Sequence, residues 1–247
     1  MTARRLRQLS TAMIAALAIA VPLAAQQGNV GQARQQPTQT QEAQPKKKLQ
    51  PGDIELQSSR VYCFVGKTGF GHEHAIEGTL TSGAIRLGAT EKAGKFEFDL
   101  RSFQADTQAA RTYIGLAGAT DAGTVKKVQT NMLGPEVLDT ARFPTAMFEV
   151  TAARKHVSKN PPATGQEYLV EGDFTLHGVK RPVKFIAVAE AAEGWTHLRG
   201  RFAIRQTDFG IKPFTAALGA VGITNELTIY GDLRVVPESA SDAERGK

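Results

Sequence analysis

A single cysteine, Cys63, stands in a chain of 247 residues. An intramolecular disulfide framework and a cysteine-rich zinc site are therefore both excluded. There is also little excess of charge of one sign: the formal balance is +6. It falls to +3 once Arg4, Arg5 and Arg7, which belong to a terminal segment discussed below, are set aside. That is too little to suggest a nucleic-acid binder. The apolar run at residues 11–23 falls short of the roughly 20 residues a membrane-spanning helix needs. There is no G-x-S-x-G, no phosphate-binding glycine loop and no H-E-x-x-H. Nothing points to a catalytic group, and nothing calls for a cofactor. What is present is an ordinary globular balance, 41% hydrophobic and 22% charged with 24 Gly and 11 Pro. This rules out collagen, coiled coil and wholesale disorder.

Residues 1–25 have the pattern of an export signal: a positive start at Arg4, Arg5 and Arg7, the apolar run, then Leu23-Ala24-Ala25 before polar Gln26-Gln27. The expectation is a periplasmic or secreted protein, with general secretion favoured over a twin-arginine route and no membrane span in the mature chain. Residues 26–54 form a Gln/Pro/Lys linker, with nine Gln up to residue 52 and the run Lys46-Lys47-Lys48. With no apolar periodicity, the linker is expected to be disordered. A folded domain over 55–236 and a polar tail over 237–247 complete the organisation.

Inside the domain the dominant signal has period two. Phe96, Phe98 and Leu100 alternate with Lys95, Glu97 and Asp99; Ala146, Phe148 and Val150 alternate with more polar neighbours. Tyr168, Val170, Gly172, Phe174 and Leu176 share one face, as do Val183, Phe185, Ala187 and Ala189, and again Leu227, Ile229, Gly231, Leu233 and Val235. One apolar and one wet face per run mark antiparallel strands around a single core. Further strands are expected at 60–67, at 75–87 (one or two) and at 195–205, giving eight or nine. Turns are expected at 91–94, 159–165, 178–182 and 191–194. Residues 109–138 break the rhythm. Tyr113, Leu116, Val125, Val128 and Met132 fall near helical spacing, so one or two short helices are expected, ending at Gly134-Pro135. The fold class is all-β, a sandwich or closed barrel. An eight-stranded barrel either fills itself with side chains or holds one small ligand.

Four motifs in order suggest a family. Arg142-Phe143-Pro144-Thr145-Ala146-Met147-Phe148 resembles the (Y/F)P-x-x-x-F signature of YceI-like proteins. The run from Gly172 to Val183 (GDFTLHGVKRPV) resembles their G-D-L-T-L-x-G-V-T-K-P-V hairpin. Ile204-Arg205-Gln206-Thr207-Asp208-Phe209-Gly210-Ile211 resembles the I-x-R-x-D-F-G-I that follows, and GHEHAIEG at 71–78 stands where the family has a His-containing strand. The resemblance covers residues 58–236. It implies an extended lipocalin-like antiparallel barrel with a helical segment, exported, binding a polyisoprenoid or similar amphiphilic lipid without catalysis. Two departures touch the cavity mouth. His72-Glu73-His74-Ala75-Ile76 replaces the usual H-L-G-x-S, and Arg111-Thr112-Tyr113-Ile114 stands for R-D-x-H-L without its Asp or His.

For a hydrophobic lipid the candidate walls are Phe96, Phe98, Phe148, Phe174, Leu176, Phe185 and Ile204. The plain alternative is that these pack on one another in a filled barrel that serves as a protein-interaction module. His72 and His74, two apart on a strand, point to the same side; they are expected to be an exposed or hydrogen-bonded pair near the barrel mouth, the alternative being that they share a metal. A third ligand, from Glu77, His177 or His197, cannot be placed from sequence. Arg205 and Asp208 are expected to brace a loop, and Cys63 to be buried and inert.

Overall fold

The computed structural model describes residues 48–238. The export segment 1–25, the linker through residue 47 and the tail from 239 onward lie outside the described residues. The chain runs through β1 (Ile54–Gly69), β2 (His74–Ile85), β3 (Gly94–Ala105), α1 (Gln108–Ile114), α2 (Ala122–Leu133), β4 (Thr145–His156) and β5 (Gln166–Leu176). It continues through β6 (Val179–Ala192), β7 (Trp195–Arg205), β8 (Thr215–Ala216) and β9 (Val221–Val235). Each of the long strands pairs antiparallel with the next, β7 pairs with β9, and β9 returns to β1. The result is a closed eight-stranded up-and-down barrel. The two-residue β8 sits beside the first residues of β9, where β7 has already ended. Both expected strand counts thus hold a part of the answer.

Closure follows from the alternation. Each strand carries an apolar face, and a closed barrel is the arrangement that buries all eight faces while leaving no long unpaired edge. Two hairpins are set by local chemistry. His177-Gly178 and Glu193-Gly194 both have φ values of 52° to 81°, the left-handed pair that a two-residue hairpin turn needs. The expected turn at 178–182 is therefore shorter than the sequence suggested, and Pro182 lies inside β6, opposite Asp173 of β5. It is tolerated because β7 pairs with β6 only from Ala187 onward. The free side of the first half of β6 asks no N–H of Pro182. β1 begins well before the expected residue 60, and 75–87 holds one strand rather than two.

Strand direction gives the barrel two different ends. At one end lie the 70–73, 177–178 and 206–220 connections and the helical excursion between β3 and β4. The other end is plugged. Ile54, Ile85, Val150 and Val235 are each about 2% exposed. Gly52 and Asp53 close the gap by bonding backbone to Ile85 and Val236.

The helices take separate tasks. α1 is capped by Thr107, whose Oγ1 accepts from the Ala110 N–H, and it ends at Gly115 in the left-handed region. It packs outside the wall, with Tyr113 stacked on Tyr62 of β1 at 4.1 Å and edge-on to Tyr230 of β9. α2, capped by Asp121, lies at the open end, where Val128 and Met132 meet Val65, Ile76 and Ala105. Gln129 fixes it to the end of β3, Oε1 accepting from the Ala105 N–H (2.8 Å) and Nε2 donating to the Phe103 carbonyl (2.5 Å).

Glycine placement in the wall gives a direct test. A Cβ at Gly172 would stand 2.2 Å from the Glu149 carbonyl oxygen, beside the irregularity in β4, whereas one at Gly231 would meet nothing nearer than Leu233 at 3.8 Å. Gly172→Ala is expected to cost about 1–3 kcal/mol in urea denaturation, and Gly231→Ala less than about 1 kcal/mol. Equal losses would contradict this packing.

Candidate functional site

The barrel is not filled. Its open end leads into a cavity of about 460 Å³, within the range of small-ligand sites. Strands of 12 residues rise about 40 Å along their own axis and, tilted as in barrels of this size, make a wall about 30 Å high.

All seven sequence candidates lie on the cavity wall: Phe96 and Phe98 from β3, Phe148 from β4, Phe174 and Leu176 from β5, Phe185 from β6 and Ile204 from β7. They both line the space and pack on one another. Phe148 is 5.9 Å from Phe185, and Phe174 is 5.5 Å from a residue the sequence reading did not single out, Phe202. Phe202 also stacks on Phe185 at 5.1 Å. The signal for it was present in the alternation Leu198, Gly200, Phe202, Ile204, all of which face inward. Val128 and Met132 of α2 also line the space. Helical spacing revealed them, but nothing local said which way the helix would lie.

The lining is divided by polarity. Apart from Cys63, the polar lining side chains are His72, His74, Thr124, Lys127, Asn131 and Gln206, and every one belongs to the open end. Below them the wall is apolar down to the plug. A polar depression adjoins the mouth, lined by Lys67, His72, Glu73, Arg111, Thr120, Asp121 and Thr124, so His72 and Thr124 border both spaces.

One buried polar cluster organises this mouth, and its centre was not foreseen. Asp106, just after β3, has a fully buried side chain. Its carboxylate accepts from the Ala75 N–H (3.0 Å), from Arg111 Nη1 (3.1 Å) and from Thr120 Oγ1 (3.0 Å), and lies 2.7 Å from His74 Nδ1. Arg111 also donates to the Ala117 and Gly118 carbonyls. The start of β2, α1 and the loop into α2 are thus tied to one carboxylate. Burial alone would push the Asp106 carboxyl up. The hydrogen bonds from His74, Ala75 and Thr120 and the charge of His74 outweigh it and hold the group down at about 2.

The alternative of a metal shared by His72 and His74 finds no support in this geometry. His72 lies in the 70–73 loop rather than on a strand and is exposed, and His74 is committed to Asp106. Glu77 pairs with Arg60 and accepts from Thr107, His177 packs on the Phe143 ring, and His197 sits at the plugged end beside Arg199. Among the described residues no group of three or more His, Cys, Asp or Glu could hold a metal ion. Arg205 and Asp208 are both exposed and make no ion pair with each other. Their loop is held instead by Gln206 Nε2 donating to the Thr224 carbonyl (2.7 Å) and by Asn225 bonded to Thr207.

Cys63 is only half-buried, which corrects the expectation of full burial. The surface it shows faces the cavity, whose wall it lines. Its surroundings are nevertheless dry enough that burial pushes the thiol up to about 12.

Two measurements follow. At pH 8 the folded protein should alkylate with iodoacetamide on the order of a thousandfold more slowly than the urea-unfolded chain, because the reactive thiolate is depleted. Comparable rates would show a wetter cavity. For Asp106, the ordinary value is 3.8 and the folded value about 2. Its contribution is therefore complete above about pH 4 and is lost as pH falls through about 2, an effect on the order of 2 kcal/mol. The stability advantage of wild type over Asp106→Asn in urea should shrink across that window, and parallel pH curves would contradict the assignment.

Comparison with known proteins places the chain. Residues 53–235 match the YceI-like domain. A UPF0312 protein of Pseudomonas putida is 30% identical over 125 residues, covering 48% of this chain and 59% of that protein; one from Pseudomonas savastanoi is 29% identical over the same spans. The chain thus spans about 59% of the length of these curated relatives. Among solved structures, Burkholderia cenocepacia BcnA is similar at a TM-score of 0.48 and 17% identity, over 74% of this chain and 99% of its own. A polyisoprenoid binding domain from Saccharophagus degradans, implicated in plant cell wall breakdown, is similar at 0.49 and 16%, over 76% and 100%. The family match runs from just before β1 to the last residue of β9, and the chain belongs to the YceI-like domain family.

Proposed function

We propose that this protein is an exported, non-enzymatic carrier or scavenger of a long isoprenoid-type or similar amphiphilic lipid. The tail lies in the barrel and the polar head at the mouth. One observation carries the reading: the cavity is dry along its depth, and the polar side chains of its lining, Cys63 apart, are confined to its opening. A hydrocarbon tail has no groups to pair, so its site needs length and apolar walls only. Burying several hundred Å² of it at ~25 cal/mol/Å² gives a gross gain on the order of 10 kcal/mol. Lost ligand freedom offsets much of that. A head group could meet Lys67, His72 and Thr124 in the adjoining depression.

The family resemblance supports the isoprenoid class, and the pattern of residues 1–25 supports export to the periplasm or beyond. The open cavity weighs against a filled interaction module.

Two inward substitutions test the assignment by opposite means. Phe98→Asp puts a charge on the wall, and Ile229→Trp fills space where a lining side chain is not fully buried. Each folded variant should retain at least about tenfold less co-purified lipid, and less of an apolar fluorophore, than wild type. Undiminished retention in either variant, with its barrel circular dichroism intact, would contradict the reading.

A further inference from the structure

Two large apolar side chains at the open end stand almost wholly in water: Phe70 is 87% exposed and Leu218 fully so. Phe70 is in the loop between β1 and β2, Leu218 at the tip of the connection between β8 and β9. The loops are neighbours. The Phe70 N–H donates to the Ala220 carbonyl at 2.9 Å, and β1 pairs with β9 as far as Gly69 and Val221. Scattered exposed apolar residues are commonplace on proteins. These two stand on adjoining loops at the open end of an apolar cavity.

The backbone adds an independent observation. Ala217, Leu218 and Gly219 have φ values of 49°, 56° and 90°. A left-handed turn normally takes glycine or asparagine, and holding a leucine there is unfavourable. The conformation points the side chain outward rather than letting it fold back. Phe70 is also a lining residue of the cavity, as are Phe214, Val221 and Gly222 behind it. The apolar lining thus reaches the exposed tip at Phe70.

Cationic side chains also stand at this end. Lys67, Lys127 and Lys212 are exposed at this end, and none has an ion-pair partner among the described residues. Glu73, Asp121 and Asp208 are exposed at the same end, and His72 lies between Phe70 and Glu73 in the chain.

We propose that the open end docks on a lipid bilayer, with Phe70 and Leu218 inserted at the interface and the lysines over anionic head groups. The inference rests on the lipid-carrier reading, since it supplies the route by which a water-insoluble tail passes between membrane and cavity without crossing solvent. Interfacial anchoring by an apolar insertion with basic neighbours is the general mode for proteins that lie on membranes. The other exposed large apolar side chains among the described residues, Leu49 before β1 and Val157 after β4, lie at the plugged end.

Trp195, the chain's one tryptophan, also lies at the plugged end and provides the control. Full-length Phe70→Trp and Leu218→Trp, each in a Trp195→Phe background, are mixed with phosphatidylcholine vesicles containing phosphatidylglycerol and chain-brominated lipid. The introduced indoles should be quenched, and Trp195 of the wild type should not. Leu218→Ser, at a position outside the cavity lining, should take up lipid from vesicles on the order of tenfold more slowly than wild type. Its uptake from detergent micelles should be unchanged. Unquenched tips, or equal quenching of Trp195, overturn the docking proposal. So does unchanged uptake from vesicles. Failure of wild type to load from micelles instead overturns the carrier reading itself.

Discussion

Pairing of the first long strand with the last is the interaction on which the rest of this molecule depends. β1 meets β9 from Ile54 and Val235 at one end to Gly69 and Val221 at the other, with two irregularities on the way. Without that ladder the sheet would present two long edges, each a row of unpaired N–H and C=O groups, and the inward faces of eight strands would have no common interior. With it, the wall is continuous, and the plug at Ile54, Ile85 and Val235 can form because Gly52 and Asp53 are carried to the end of β9. The cavity results from this closure. Eight tilted strands set a diameter that the inward side chains fill only at the plugged end and leave open above it.

The second organising element is electrostatic. Ionised Asp106 sits at the junction of the barrel and its helical excursion, and a buried carboxylate persists there because four donors surround it. Through Arg111 and Thr120 it orders the connection that leads into α2, and α2 in turn supplies Thr124, Lys127 and Asn131 to the cavity opening. The polar rim above the dry interior therefore depends on a group that makes no contact with the interior itself.

These two elements differ in how readily the sequence discloses them. Period-two alternation identified the strands and their inward faces, because a side chain's face in a strand is fixed by parity alone. That is why all of the wall candidates lie on the cavity wall. Pro182 misled because proline is excluded only where a strand is paired on its N–H side, and whether β7 reaches that far is a tertiary fact. Asp106 was invisible for a similar reason. It is one carboxylate among many in sequence, and its partners come from residues 74–75, 111 and 120. The histidine pair stands at the mouth as expected, His72 exposed and His74 hydrogen-bonded, and only the inference of a shared direction lacks a basis. Spacing suggested shared direction, but β2 starts only at His74, so the parity argument did not apply to His72.

Native mass spectrometry of the protein recovered from a bacterial periplasm, followed by solvent extraction of whatever is bound, tests the central claim most directly. A stoichiometric adduct that extracts as a long isoprenoid or related amphiphile is the expected result. A bare polypeptide mass, unchanged after incubation with such lipids, would contradict the account and leave the cavity without the occupant its dry walls imply.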